Sequence, residues 1–231
     1  MKLIYILITL FCLQSIHAQN TFEKGYFIDN TGKRTDCLIK NMGWRSNPTE
    51  FKWKASEESE SNIATIKNIQ EFGIPDIVIY SKYTIDFDLS PININNLENG
   101  RGIKKSTRTI FLKTLVGSKE ASLYIYQKND IKKYFYKTEL MDIPEVLVYK
   151  KFLVENALVN KKLGENNDYR YQLKTNFSYD DHTSKSVKYQ KSALVKYFND
   201  YLSCKNITTN YTPKSTKFKT EIGVTAGLNF S

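Results

Sequence analysis

The feature that most constrains this chain is a run of three strand-like segments joined by very short links. Residues 109–115, 121–126 and 131–137 are rich in β-branched and aromatic side chains, and five and four residues separate them. Links this short join antiparallel neighbours, because a parallel neighbour needs a crossover of about a dozen residues or more. The run therefore predicts an antiparallel β-meander.

Shorter strand-like segments lie on both sides of this meander. The turn cluster Asp29-Asn30-Thr31-Gly32 separates two of them and predicts a hairpin. The acidic run at residues 56–61 separates two more; it lacks the glycine-centred spacing of a calcium loop and predicts a solvated hairpin tip. These further predicted strands are residues 26–28, 35–39, 50–54, 62–67, 77–80, 83–87 and 145–149.

Helical spacing replaces the strand pattern after residue 154. Tyr169, Leu173 and Phe177 recur every fourth position within residues 167–177, and residues 187–202 carry a second apolar stripe. The two predicted helices either pack on the sheet or lay lysine-bearing faces on a membrane surface. The sequence thus predicts an α+β fold, mainly antiparallel β, in which a small helical segment follows the meander domain.

The first eighteen residues have the layout of a secretory signal peptide. Lys2 precedes an apolar run over residues 3–13, and the small residue Ala18 marks a cleavage site. The apolar run is shorter than the roughly twenty residues that span a bilayer. It predicts export of a mature chain that begins at Gln19.

The last eleven residues alternate strictly between apolar and small or polar side chains. Ile222, Val224, Ala226, Leu228 and Phe230 share one face, a pattern typical of a strand in a transmembrane β-barrel. The predicted organisation is a signal peptide (1–18), an antiparallel β domain (19–153), a helical segment packed on it (154–204), a linker (205–220) and the first strand of a truncated or absent barrel (221–231).

Two cysteines remain once the signal peptide and Cys12 are removed. In an oxidising compartment Cys37 and Cys204 could form one disulfide, whereas two buried thiols are the alternative. Spacing along the chain does not decide between them, since a disulfide depends on the distance between their Cα atoms.

The chain carries a formal net charge of +10. Export argues against nucleic acid as a partner, and the lack of a phosphate-binding loop argues against nucleotide. The remaining interpretations are solvated lysine faces or an anionic envelope partner, such as an acidic glycan or lipopolysaccharide. Tyr124 and Tyr126 alternate on one strand, and Tyr134 and Tyr136 on the next, so they form either a sugar-binding platform or cross-strand packing.

No catalytic constellation stands out in the sequence. His182 is the single histidine after the signal peptide, and no nucleophile elbow accompanies it. Residues 100–107 lack the glycine that a phosphate-binding loop needs before its Lys-Ser pair. A minor alternative is a hydrolase with a dispersed site, in which Asp86 and Asp88 would be the paired carboxylates. We therefore predict a non-enzymatic protein without catalytic residues, cofactor or metal.

Several short motifs are similar to those of flavobacterial (Bacteroidetes) exported proteins. The motifs are Lys24–Ile28, Asp36–Asn41, Trp44, Asn47–Phe51, Phe72–Ile74, Tyr83, Phe111–Lys113 and Tyr134–Tyr136, and the resemblance covers most of residues 22–231. It implies a β-rich periplasmic or surface domain followed by an outer-membrane β-barrel. The expected function is that of a non-enzymatic cell-envelope protein of a Gram-negative bacterium, located in the outer membrane or periplasm; the alternative is a binding module for glycan or anionic envelope polymer.

Overall fold

The computed structural model describes residues 21–90, 97–154 and 162–213. Strand makes up 47% of the structure and helix 15%, and the fold class is α+β, mainly antiparallel β, as the sequence predicts. The strands are β1 (Phe22–Asp29), β2 (Arg34–Lys40), β3 (Glu50–Lys54), β4 (Asn62–Thr65), β5 (Ile69–Ile74), β6 (Val78–Asp88), β7 (Lys105–Val116), β8 (Ala121–Lys128), β9 (Ile131–Thr138), β10 (Glu145–Val146), β11 (Lys150–Leu153) and β12 (Leu163–Asn166).

Three helices follow the strands: α1 (Asp168–Asn176), α2 (Asp181–Ser186) and α3 (Lys191–Cys204). Tyr169 and Leu173 are the buried residues of α1, and Leu194, Tyr197, Phe198 and Leu202 are those of α3, which matches the predicted apolar stripes. Among the described residues, no helix is both long enough and apolar enough to cross a membrane.

The β1–β2 hairpin forms where the turn cluster predicts it. Asp29 Oδ1 accepts hydrogen bonds from the backbone N–H groups of Thr31 and Lys33, at 2.8 and 3.1 Å. Gly32 has a φ of 86°, a left-handed conformation that a side chain would disfavour. This turn sets the register in which Gly25 lies opposite Cys37.

Ten strands form one antiparallel sheet in the order β10-β9-β8-β7-β6-β5-β1-β2-β3-β4. β11 and β12 form a separate antiparallel pair. The large sheet is strongly curled, because β10 contacts β6 although three strands lie between them in the hydrogen-bonded order. The concave side of this curl encloses an inner core: Ile85, Phe87, Leu112, Tyr124, Phe135 and Val146.

The helices cover the other face of β7 to β9. Leu123 and Ile125 of β8 and Tyr134 and Tyr136 of β9 pack there against α1 and α3, forming the helix-side core. A third cluster lies at the N-terminal end of the sheet, where Phe72 stacks between Phe51 and Tyr80 at ring distances of 4.1 and 5.1 Å. Strands β7 to β9 are therefore buried on both faces.

A buried ion pair joins the end of β6 to β9. Lys133 and Asp88 are 1% and 2% exposed, and their Nζ and Oδ2 atoms lie 2.9 Å apart. The other oxygen of Asp88 accepts hydrogen bonds from the backbone N–H and hydroxyl of Ser90, at 3.0 and 2.6 Å. Burial alone would raise the pKa of Asp88, but these hydrogen bonds and the charge of Lys133 outweigh it and lower the pKa.

Several strand boundaries differ from the sequence prediction. Residues 78–88 form one continuous strand, because Ser81 and Lys82 pair with Leu112 and Phe111 of β7 instead of forming a turn. β5 was missed, and the strand predicted at residues 145–149 contributes only Glu145–Val146 to the sheet. The predicted signal peptide and the predicted barrel strand at residues 221–231 lie outside the described residues.

The segment after α3, where we predict a linker, lies against the sheet as far as the structure describes it. Tyr211 and Gly117 form an antiparallel bridge: Gly117 N donates to Tyr211 O at 2.8 Å, and Tyr211 N donates to Gly117 O at 3.1 Å. Residues 210 and 211 are thus hydrogen-bonded to Gly117 in the β7–β8 turn.

We expect Lys133→Met to destabilise the fold by about 3–5 kcal/mol, because it leaves the Asp88 carboxylate buried without its cation. Urea unfolding followed by circular dichroism measures this loss. The double variant Lys133→Met/Asp88→Leu should lose less than the sum of the two single variants. Lys196→Met, which breaks the exposed Lys196–Asp200 pair, is the control and should cost less than about 1 kcal/mol.

The same pair predicts the pH dependence of stability. The pKa of Asp88 is lower in the folded than in the unfolded chain, so its carboxylate stabilises the fold above the unfolded pKa of about 4. This contribution is lost as the pH falls through the folded pKa. We expect Asp88→Asn to lose less stability than the wild type between pH 5 and about pH 2; equal slopes would contradict the assignment.

Candidate ligand-binding groove

Strands β7 and β8 pair with each other along only part of their length. Their ladder runs from Val116–Leu123 to Lys113–Ile125 and stops there, although β7 extends back to Lys105 and β8 forward to Lys128. Beyond this point the two strands diverge, and each pairs only with its other neighbour, β7 with β6 and β8 with β9. They leave an opening between two otherwise adjacent strands.

Asn47, from the loop between β2 and β3, fills the gap in the backbone hydrogen bonding. Its Nδ2 donates to the carbonyls of Phe111 and Ile125 at 2.7 and 3.1 Å, and its Oδ1 accepts from the N–H of Gln127 at 2.8 Å. The Asn47 N–H also donates to the Gln127 carbonyl at 2.7 Å. One buried amide thus replaces the missing cross-strand bonds, and we call it the Asn47 wedge.

The opening forms a groove of about 230 Å³ on the concave side. Enclosed small-molecule sites typically measure roughly 300–1,000 Å³, so this groove suits one unit of a larger ligand. Its walls come from β6, β7, β8 and β9, and we call it the splay groove. The lining residues are Phe87, Leu89, Arg108, Ile110, Tyr126, Lys128, Asn129 and Ile131.

The splay groove combines an apolar floor with two cations. Arg108 and Lys128 are exposed and lie on opposite walls, whereas Tyr126 is half-buried and contacts Phe87 edge-on at a ring distance of 5.4 Å. Burial raises the pKa of Tyr126, and the nearby guanidinium of Arg108 acts against that rise. The described lining contains no carboxylate, so the groove favours a ligand with a negative group and a ring.

The four predicted tyrosines do not form one platform. Tyr126 lies in the splay groove, and Tyr124 lies deeper in the inner core, edge-on to Tyr83 at 5.8 Å. Tyr134 and Tyr136 point to the helix-side face, where they pack edge-on against Tyr189 and Phe177. Three of the four therefore pack in cores, and Tyr126 alone among them lines the groove.

The two cysteines are free thiols. Cys37 is buried in the N-terminal cluster, where burial raises the pKa of its thiol to about 11. Cys204 is exposed at the end of α3. A raised pKa makes the buried thiol a poor nucleophile.

The other candidate residues from the sequence lie apart from the groove lining. Asp86 is exposed, whereas Asp88 forms the buried ion pair with Lys133. Gly102 accepts a hydrogen bond from the buried amine of Lys150 at 2.7 Å, so the glycine-containing loop docks on β11. The acidic run is the exposed turn between β3 and β4, and the His182 side chain lies outside the described part. No group of residues that could hold a metal ion occurs in the described ranges.

Arg108 and Lys128 were missed by the sequence reasoning. Arg108 lies just before the predicted strand at residues 109–115, and Lys128 lies in the predicted link after residues 121–126, so both positions predict solvated side chains. Only the divergence of β7 and β8 brings them to the two walls of one groove. The single sequence signal for that divergence is Asn47-Pro48, which indicates a turn and not a wedge.

Comparison with known proteins does not extend this assignment. No protein-family model matches the chain, and neither a curated protein nor a solved structure matches it.

We expect Asn47→Ala to destabilise the fold by about 3 kcal/mol, because it leaves two buried carbonyls and one buried N–H without partners. Chemical denaturation measures the change, and Ser46→Ala, at the exposed neighbouring position, is the control. Asn47→Asp should be at least as damaging, since a carboxylate cannot donate to Phe111 or Ile125. Wild-type stability in both Asn47 variants would show that the wedge is dispensable.

Proposed function

We propose that the chain is a non-enzymatic module of the bacterial cell envelope that binds one anionic unit of an envelope polymer in the splay groove. The observation that carries this proposal is the placement of Arg108 and Lys128 on either side of Tyr126, with no carboxylate in the described lining. An acidic glycan or the phosphorylated sugars of lipopolysaccharide have the matching chemistry.

Each wall of the groove has a distinct part in this binding. Arg108 offers a planar guanidinium that can hold a carboxylate or phosphate through two parallel hydrogen bonds. Lys128 adds a second positive charge from the opposite wall. Tyr126, which is half-buried, presents apolar ring surface to the carbon–hydrogen face of a sugar, above a floor that includes the buried Phe87, and the open end lets the rest of the polymer continue into solvent.

The non-enzymatic part of the proposal is supported by what the groove lining offers. Its described residues include two basic side chains, Arg108 and Lys128, and a tyrosine whose pKa is raised, but no carboxylate or imidazole to act as general base. Asp88 lies close along β6, yet its oxygens are engaged by Lys133 and Ser90. The groove is equipped to hold a ligand.

The envelope location is supported by the sequence of residues 1–18 and by the basic charge of the chain. The alternation at residues 221–231 supports a second candidate function, that of the soluble domain of an outer-membrane β-barrel protein. The two candidates are compatible, because a domain tethered beside the membrane would meet its polymer there.

We expect Arg108→Gln to weaken binding of an acidic polysaccharide at least tenfold, since it removes a charge-assisted contact. Titration calorimetry with oligogalacturonate and with purified lipopolysaccharide, at low and high salt, measures this. Lys128→Gln should have a smaller effect in the same direction, and Tyr126→Ala should weaken sugar stacking. Binding by the wild type should fall as salt rises.

Lys52→Gln is the matched control, because it removes the same charge from an exposed position on β3 far from the groove. It should leave binding unchanged. If Lys52→Gln and Arg108→Gln weaken binding equally, the attraction is general surface charge and the groove assignment is wrong.

We expect the full chain, produced in a Gram-negative bacterium, to be recovered from the periplasm or outer membrane with Gln19 as its first residue. Fractionation and mass spectrometry measure both outcomes. Leu7→Asp interrupts the apolar run and should keep the uncleaved chain in the cytoplasm. Recovery of uncleaved wild-type chain in the cytoplasm would refute the envelope proposal.

A further inference from the structure

A second groove lies where the curl of the sheet brings β10 back to β6. Its volume is about 470 Å³, within the roughly 300–1,000 Å³ of typical small-molecule sites. One wall comes from β6 and β7, and the other comes from residues 143–148 around β10 and from Gln172 of α1. We call it the seam groove. The described linings of the seam groove and the splay groove share no residue.

The side-chain amide of Gln172 holds the β10 wall of the seam groove in place. Its Nε2 donates to the carbonyl of Val146 at 2.9 Å, and its Oε1 accepts from the N–H of Val148 at 2.8 Å. Between them, the N–H of Leu147 points the other way and donates to the carbonyl of Tyr134 on β9 at 2.8 Å. The amide thus takes the place of a neighbouring strand, and this wall is formed before a ligand arrives.

Each wall presents one carboxylate that a hydroxyl orients. On β10, Oε2 of Glu145 accepts from the hydroxyl of Tyr136 at 2.8 Å. On β6, Oδ1 of Asp86 accepts from the hydroxyl of Thr107, which lies directly opposite on β7. Burial raises the pKa of Tyr136, and the hydrogen bond to Glu145 raises it further, so Tyr136 remains a donor. Within the described chain, the second oxygen of each carboxylate accepts no hydrogen bond and can contact a ligand.

A lysine lies beside Asp86 on the same wall. Lys105 is two residues from Thr107 on β7, so Lys105 and Asp86 are diagonal neighbours on one face of the two strands. Lys105, Asp86 and Glu145 are exposed, and none of them forms an ion pair with another residue that the structure describes. The seam groove therefore offers two negative groups and one positive group to a ligand.

The rest of the β10 wall is apolar. Ile143, Val146 and Val148 line it, and Ile143 is 51% exposed. An aliphatic ligand would remove the Ile143 side chain from water, and that burial would stabilise the complex. The complementary ligand thus has an aliphatic stem, two positive groups and one negative group.

We propose that the seam groove binds a free basic α-amino acid, such as lysine or ornithine. Lys105 pairs with the α-carboxylate, and its diagonal neighbour Asp86 pairs with the α-ammonium group. The stem packs on Ile143 and Val148, and the side-chain ammonium group reaches Glu145 on the facing wall. Every charged group of the groove then has a partner of opposite sign, which neither a neutral amino acid nor a simple diamine provides.

This binding does not depend on the polymer-binding function proposed above. Phe87 and Arg108 of the splay groove alternate with Asp86 and Thr107 along the same two strands, so they point to the opposite face. The two grooves can therefore be tested independently.

Titration calorimetry of the purified chain with L-lysine tests the proposal, beside two ligands that each lack one group. Norleucine keeps the stem but has no side-chain ammonium group, whereas cadaverine keeps both ammonium groups but has no carboxylate. We expect saturable binding of lysine and at least tenfold weaker binding of each of the other two. Asp86→Asn and Glu145→Gln should each weaken lysine binding at least tenfold, because each removes a charge-assisted contact.

Lys105→Gln should act in opposite directions on two of these ligands. Lysine binding should weaken, because the carboxylate of lysine loses its partner. Cadaverine binding should strengthen, because a positive charge that repels cadaverine is removed. An equal change for both ligands would overturn the proposal.

Two control variants keep the result specific. Glu57→Gln removes a carboxylate from the exposed turn between β3 and β4, and Lys128→Gln removes a charge from the splay groove. Both should bind lysine as the wild type does, and circular dichroism should show the wild-type fold in every variant. The proposal also fails if the wild type shows no saturable binding of lysine, if Asp86→Asn or Glu145→Gln binds it like the wild type, or if Glu57→Gln loses as much affinity as they do.

Discussion

The curl of the sheet depends on one buried contact, the ion pair between Lys133 and Asp88. A flat sheet would hold β6 and β9 about 14 Å apart, since two strands lie between them and neighbours are about 4.8 Å apart. The 2.9 Å contact is possible because the sheet bends around its inner core and brings β10 back to β6. Removing either charge leaves the other in an apolar interior, so the bend and the pair stabilise each other.

The splay groove follows from this bend and from the Asn47 wedge together. The bend places the diverging ends of β7 and β8 on the concave side, and the wedge satisfies their backbone groups so that they can stay apart. Without the wedge, Phe111 and Gln127 would be expected to pair with each other and close the opening. A surface that could bind a ligand thus depends on an amide from a loop more than sixty residues away.

The sequence predicted local structure well and long-range structure poorly. The meander, the first hairpin and the helical stripes carry clear periodic patterns, and the structure confirms them. β5 was missed because Gln70, Glu71 and Gly73 interrupt its apolar pattern; in the structure Glu71 bonds to Tyr26 and Ser81. Asp88 lies one residue beyond the strand predicted at residues 83–87, and Lys133 is a charged residue within the strand predicted at residues 131–137, so neither position predicts burial. Only the curl buries them, and no local pattern encodes it.

The Asn47 wedge also has a consequence for the order in which the chain folds. Its three side-chain hydrogen bonds join residues 64, 78 and 80 positions apart, so each closes a long loop. Loops of this length are slow to close, whereas the β8–β9 hairpin closes through the two residues Asn129 and Asp130. The wedge is therefore set after the meander exists. The groove therefore forms late in folding, after both ends of the sheet have assembled.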